Sequence, residues 1–236
     1  MLVFAQGEWG TVGGGHLEFE AMADARALLS QAKTSHGMEP VEKRFVLGPS
    51  LGQCCGGVVV LRLTRVTAHD VPGLQLEHRR SLQPLALFGG GHVGKALVGV
   101  LSTLPFSVRW IDSRDEIFPH DMPAHIESEH SNPVQAAVSD LAPNSLVLIM
   151  SFSHAEDLDV VMACLLRQRN KADLPYVGLI GSATKWASFR SRLRERGFSD
   201  AECDHVTSPI GVQGIRGKEP EVIAIAVAAQ LLQIKK

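Results

Sequence analysis

Four cysteines in 236 residues, two of them adjacent, are too few and wrongly spaced for the disulfide framework of a small secreted domain. Long hydrophobic runs are also missing. The longest, residues 222–232, falls short of the ~20 residues of a membrane span and is broken by Gln230. The first residues carry neither a basic stretch nor a signal-like apolar core, so nothing points to export. No charge of either sign dominates. A net charge of −2 removes the electrostatic reason to expect nucleic acid or an acidic membrane surface as partner. The expected location is the cytoplasm.

What is present is the composition of a globular chain, 45% hydrophobic and 20% charged, long enough for one large or two modest domains. Its most informative stretch is Leu85-Ala-Leu-Phe-Gly-Gly-Gly-His-Val-Gly. A short apolar run feeds into a G-x-G-x-x-G spacing (Gly89, Gly91, Gly94) with His92 inside it, and a helical pattern follows. Strand, tight turn and helix start in that order can cradle a phosphate on backbone N–H groups. The next apolar run ends at Asp112, near the ~20-residue offset of a ribose-binding acid. The plainer alternative is that the glycines serve close strand–helix packing and Asp112 caps a loop.

Residues 67–83 are polar and contain Pro and Gly, as a linker would. The expected division is a domain over 1–67, a linker over 68–83 and a second domain over 84–236. The first reads as a small α+β unit. Its helix covers His16 to Lys33, and its strands, Glu42–Leu47 and Val58–Val66, flank an irregular loop containing Cys54 and Cys55. The second alternates strands (85–88, 107–111, 125–127, 145–150, 175–180) with helices (92–104, 133–139, 157–170, 184–196, 220–234). That pattern predicts a parallel sheet covered on both faces, with a ligand crevice at the carboxyl ends of its strands.

Three loops of the second domain should share one rim. The first is the glycine loop. The second, after the fourth strand, offers His154, Glu156, Asp157 and Asp159, residue types that bind polar groups, hold metals or act as acid and base; alternatively Asp157 caps the helix and His154 is solvated. The third, Gly181-Ser182, opens a helix carrying Lys185, Arg190 and Arg192, an arrangement suited to anions. In the first domain Cys54 and Cys55 sit among Gly52, Gly56 and Gly57. Those glycines open the backbone to a ligand, and thiolates suit transition-metal or sulfur chemistry. Cys55 is the expected exposed partner of the two. Cys164 reads as core and Cys203 as a polar-loop residue. Thr11-Val-Gly-Gly-Gly-His-Leu-Glu is a second glycine-to-helix junction, able to hold an anion or to serve only as a turn.

Taken in order, Thr11-Val-Gly-Gly-Gly-His-Leu-Glu, Leu47-Gly-Pro-Ser-Leu-Gly-Gln-Cys-Cys-Gly-Gly, Phe88-Gly-Gly-Gly-His-Val-Gly, Asp112-Ser-Arg114, Gly178-Leu-Ile-Gly-Ser and Ser208-Pro-Ile-Gly resemble the XdhC/CoxI family of xanthine dehydrogenase accessory proteins. The resemblance implies a Rossmann-like α/β domain behind a smaller N-terminal α+β domain. It also implies binding of the molybdenum cofactor, protection of its sulfurated form and handover to a molybdenum hydroxylase. The implied partners are the large hydroxylase subunit and a cysteine desulfurase, and the expected state is a homodimer. Cys54 and Cys55 fall on the family's cysteine motif, as residues near the metal. Gly89, Gly91, His92 and Gly94 fall on its glycine loop, and Asp112 with Arg114 on the segment after the second strand. His154 and Asp159 match a His/Asp pair, with Gly181 and Ser182 on the third loop. Two departures stand out. Phe152-Ser153 replaces a threonine usual before the histidine, and Met1-Leu-Val falls inside the family's first strand, as in a chain truncated or misassigned at its start. The rival readings are an NAD(P)-dependent oxidoreductase using the glycine loop and Asp112, and a thiol or sulfur carrier.

Overall fold

The computed structural model describes residues 1–31, 39–47, 56–123 and 125–234. The chain divides into two compact units, Met1–Leu74 and Gln75–Lys236.

In the first unit two short strands, β1 (Leu2–Val3) and β2 (Glu8–Trp9), pair antiparallel. The helix α1 (Gly15–Gln31) follows, then the antiparallel pair β3 (Val41–Leu47) and β4 (Gly57–Leu63). Alternation along the last two strands turns one face to α1, where Leu17 and Ala21 pack on Phe45, Leu47, Val59 and Leu61. The unit is α+β, as the sequence predicts. The glycine junction before α1 is closed by the chain's own carboxylate. Glu18 accepts bonds from the Thr11 hydroxyl, from Val12 N–H at 2.9 Å and from Gly14 N–H at 3.1 Å. The Thr11 and Val12 bonds lead in holding its carboxyl below the ordinary glutamate range.

Within the residues expected as linker lies the helix α2 (Val71–Ser81), which buries none of its side chains. Its start is marked by Asp70, which accepts from the backbone and hydroxyl of Thr67. Its last turn carries His78, Arg79 and Arg80, favourable at a helix C-terminus. A periodicity search misses such a helix because it has no apolar face to find.

The second unit holds six parallel strands: β5 (Gln83–Phe88), β6 (Phe106–Asp112), β7 (Ile126–His130), β8 (Leu146–Ile149), β9 (Tyr176–Leu179) and β10 (Val206–Thr207). Their spatial order is β7-β6-β5-β8-β9-β10, the 3-2-1-4-5-6 order of a Rossmann sheet. Helices cover both faces, so the central strands are apolar throughout; every residue of β8 and β9 is buried. Leu85, Leu87, Val108 and Trp110 face α3 (His92–Leu101) and α7 (Pro220–Ile234). Ala86, Phe88, Val147 and Ile149 face α4 (His154–Lys171), α5 (Ala183–Glu195) and a 3-10 turn, Val134–Asp140, that stands where a full helix is expected. Arg167 explains that turn's placement, donating to the Val138 and Leu141 carbonyls at 2.7 and 2.8 Å while paired with Asp173. Cys203, expected in a polar loop, is fully buried in the short helix α6 (Asp200–Cys203).

Candidate functional site

The strand order reverses between β5 and β8, which opens a crevice at their carboxyl ends. The glycine loop fills the β5 side. Gly89 continues the ladder, donating to the Ile111 carbonyl at 2.8 Å, and its own carbonyl accepts from the Trp110 indole at 2.9 Å. A Cβ at Gly89 would lie 2.0 Å from the Met150 carbonyl oxygen, and one at Gly94 would lie 2.1 Å from the Gly89 oxygen. These two glycines exist for close backbone approach. Gly91 differs. It starts α3 with φ −71°, no side chain caps the helix, and a Cβ there would meet nothing within 4 Å. No side-chain cap therefore takes up the N-terminal N–H groups of α3, the groups an anion would use. His92, the first residue of that helix, is exposed.

Asp112, at the end of β6, is 1% exposed. It accepts from Gly90 N–H at 2.6 Å and, at 2.9 Å each, from the Arg114 backbone, Nε and Nη2. Burial pushes its carboxyl up, but the Arg114 guanidinium, the Gly90 N–H and the Arg114 N–H outweigh that and hold it below the ordinary aspartate range. The acid thus ties the glycine loop to Arg114. The same guanidinium lies 4.5 Å from the centre of the exposed Phe152 ring.

Across the crevice, Ser153 caps α4 by accepting from Glu156 N–H. Asp157, for which capping was the alternative reading, is buried and is not the cap. It accepts from Ser151 N–H at 2.7 Å and from Lys185 Nζ at 2.6 Å, and that ammonium also reaches the Ile180 carbonyl at 2.9 Å. The pair fastens the ends of β8 and β9. His154 and Asp159 are both exposed and five residues apart on α4, so they point about 140° apart around the axis and do not meet. Ser182 caps α5, accepting from Lys185 N–H, and Gly181 passes close over the Lys185 side chain. The structure therefore brings Gly89, Gly91, Gly94, Asp112 and Arg114 into one assembly, with His92 at its edge. Gly181 and Ser182 belong to the neighbouring strand end. Cys54 and Cys55 lie outside the described residues. Pattern reading missed Trp110, Phe152 and the Asp157–Lys185 pair. For Phe152 a signal existed, an aromatic residue directly after a buried strand.

Among the described residues no group of three or more His, Cys, Asp or Glu is placed to hold a metal ion, and no helix is long and apolar enough to cross a membrane.

Residues 85–231 match the XdhC Rossmann domain, and residues 1–39 match the XdhC and CoxI family. Across its full length the chain is 28% identical, over 242 residues, to Uncharacterized protein YqeB of Escherichia coli (strain K12), and it spans 40% of that protein's length. A crystal structure from Bacillus halodurans, described as that of a xanthine dehydrogenase, superimposes with a TM-score of 0.64 over 96% of this chain and 82% of that one. At 19% identity that likeness is one of fold. On the match over most of its second unit and the start of its first, the chain belongs to the XdhC and CoxI family.

Proposed function

We propose that the protein is an accessory factor that binds the molybdenum cofactor, shields its sulfurated form and hands it to a molybdenum hydroxylase of the xanthine dehydrogenase type. The cofactor is cargo rather than a resident group. Its phosphate would rest on the N-terminal N–H groups of α3 behind Gly91, and Arg114 would supply positive charge beside them. The observation that carries this reading is the uncapped start of α3, with open space at Gly91 between two glycines that admit no side chain. Cys54 and Cys55 are proposed, from the family's cysteine motif alone, as the thiols near the metal. Proposed partners are the hydroxylase large subunit and a cysteine desulfurase, with the factor acting as a cytoplasmic homodimer. Release would depend on partner contacts that favour the unloaded state.

The commitment of Asp112 to Gly90 and Arg114 weighs against the rival NAD(P)-dependent oxidoreductase, since a ribose diol would have to displace Arg114. The discriminating experiment adds purified protein to cofactor and hydroxylase apoenzyme and follows both hydroxylase activity and NAD(P)H absorbance. Activation of the apoenzyme without NAD(P)H consumption is expected. Steady substrate-dependent NAD(P)H oxidation by the protein alone would overturn the assignment.

A further inference from the structure

The helix α7 is apolar on every side. Between Glu221 and Gln233 its only polar side chain is Gln230, and that one turns inward. Gln230 Oε1 accepts from the Tyr176 hydroxyl at 3.0 Å and from Gly211 N–H at 2.7 Å. The outer face is left to Ile225 and Leu232, 53% and 43% exposed, with the half-buried Val222 and Ala229 beside them. These four positions fall within one arc of about 80° around the axis. A surface helix turns polar residues outward, and one apolar all round belongs in an interior. With the amide inside and isoleucine and leucine outside, this face is built to be covered. On the same side of the sheet lies α3, whose Val93, Ala96 and Val100 are also only partly buried.

We propose that two copies of the chain meet on this face, α7 against α7 in antiparallel register about a two-fold axis. Two observations favour a second copy over a different partner. The first is that the face complements itself. An axis between positions 228 and 229 sets Ile225 of each copy against Leu232 of the other, with the small Ala229 near the crossing. The same axis sets Glu221 of each copy towards position 236 of the other, and the sequence has Lys235-Lys236 there. Unlike charges therefore meet at both edges of the contact. The second is area. With α7 about 22 Å long and helices packing about 9 Å apart, α7 and α3 together offer on the order of 400 Å² in plan. The accessible surface of so ridged a face is larger, and two copies of it reach the roughly 1,000 Å² from which specific interfaces begin. The inference rests on the homodimer of the preceding reading and gives it a contact face; it is independent of what the glycine loop binds.

Sedimentation equilibrium of the full chain tests it. The parent should be a dimer with a dissociation constant in the micromolar range. Ile225→Arg places a cation four residues after Glu221, which is favourable within one helix. It should leave the circular dichroism unchanged and raise the dissociation constant about a hundredfold or more, by setting an unpaired charge against Leu232. Glu221→Lys should weaken the dimer about fivefold, and adding Lys235→Glu with Lys236→Glu should restore it. A dimer that survives Ile225→Arg would overturn this face and leave the homodimer standing on another. A Glu221→Lys defect that the lysine exchanges do not rescue would overturn the antiparallel register. A parent that stays monomeric well above micromolar concentration would overturn the face and the homodimer together, leaving the face to a different protein.

Discussion

Arg114 closes on the buried carboxylate of Asp112 through its Nε and Nη2, both at 2.9 Å, two residues along the chain. The pair does structural work at the position where a dinucleotide-binding protein would keep an acid open for ribose. Arg114→Ala should leave a carboxylate that is 1% exposed with too few donors, at a cost of about 3 kcal/mol. Urea unfolding of the parent and variant measures it.

The pH dependence follows from the same pair. Asp112 is held below the ordinary aspartate range in the folded chain, so the unfolded chain takes up its proton first as pH falls. Its stabilising contribution is complete above about pH 4 and is lost as pH drops through the lower folded value. The parent should therefore lose stability more steeply than Arg114→Ala below that point. Parallel melting curves down to the acid limit would contradict the assignment.

The three loop glycines should separate by stability. Alanine at Gly94 would press on the Gly89 carbonyl at 2.1 Å and at Gly89 on the Met150 carbonyl at 2.0 Å, so each should cost about 2–3 kcal/mol. The turn position makes a modest loss natural to expect at Gly91 as well. Its ordinary φ of −71° and the open space around it limit the effect of Gly91→Val to about 1 kcal/mol. Thermal melts of the three variants check the order.

Lys185 and Asp157 form the second buried pair, with side chains 12% and 3% exposed. Lys185→Met strands the carboxylate and should destabilise by about 3–5 kcal/mol, while Lys185→Met with Asp157→Leu should recover part of that loss. Chemical denaturation of the single and double variants decides it.

Much of this was legible before any coordinates. The apolar runs that became β8, β9 and most of β5 are continuous because both faces are covered, and continuity is a property of sequence. The glycine spacing likewise located the loop. What could not be read were partnerships made by the parallel sheet. Lys185 is 28 residues from Asp157 and meets it only because β8 and β9 lie side by side. Asp112 and Arg114 lie only two residues apart, and what the sequence left open there was that the guanidinium turns back onto the acid. His154 and Asp159 look paired in sequence and part on the helix because five residues is not a helical repeat. At Thr11–Gly15 the pattern of an anion site was genuine, and the anion is Glu18.

The central claim is that the glycine loop holds the phosphate of a molybdenum-bound pterin. The most direct measurement isolates the parent and a folded Gly91→Val variant from cells that make the cofactor, then quantifies molybdenum and the fluorescent oxidised pterin in each. The parent should carry both in matched amounts, and Gly91→Val should carry neither while keeping its melting temperature within a few degrees. A parent free of pterin, or a Gly91→Val variant that retains as much as the parent, would contradict it.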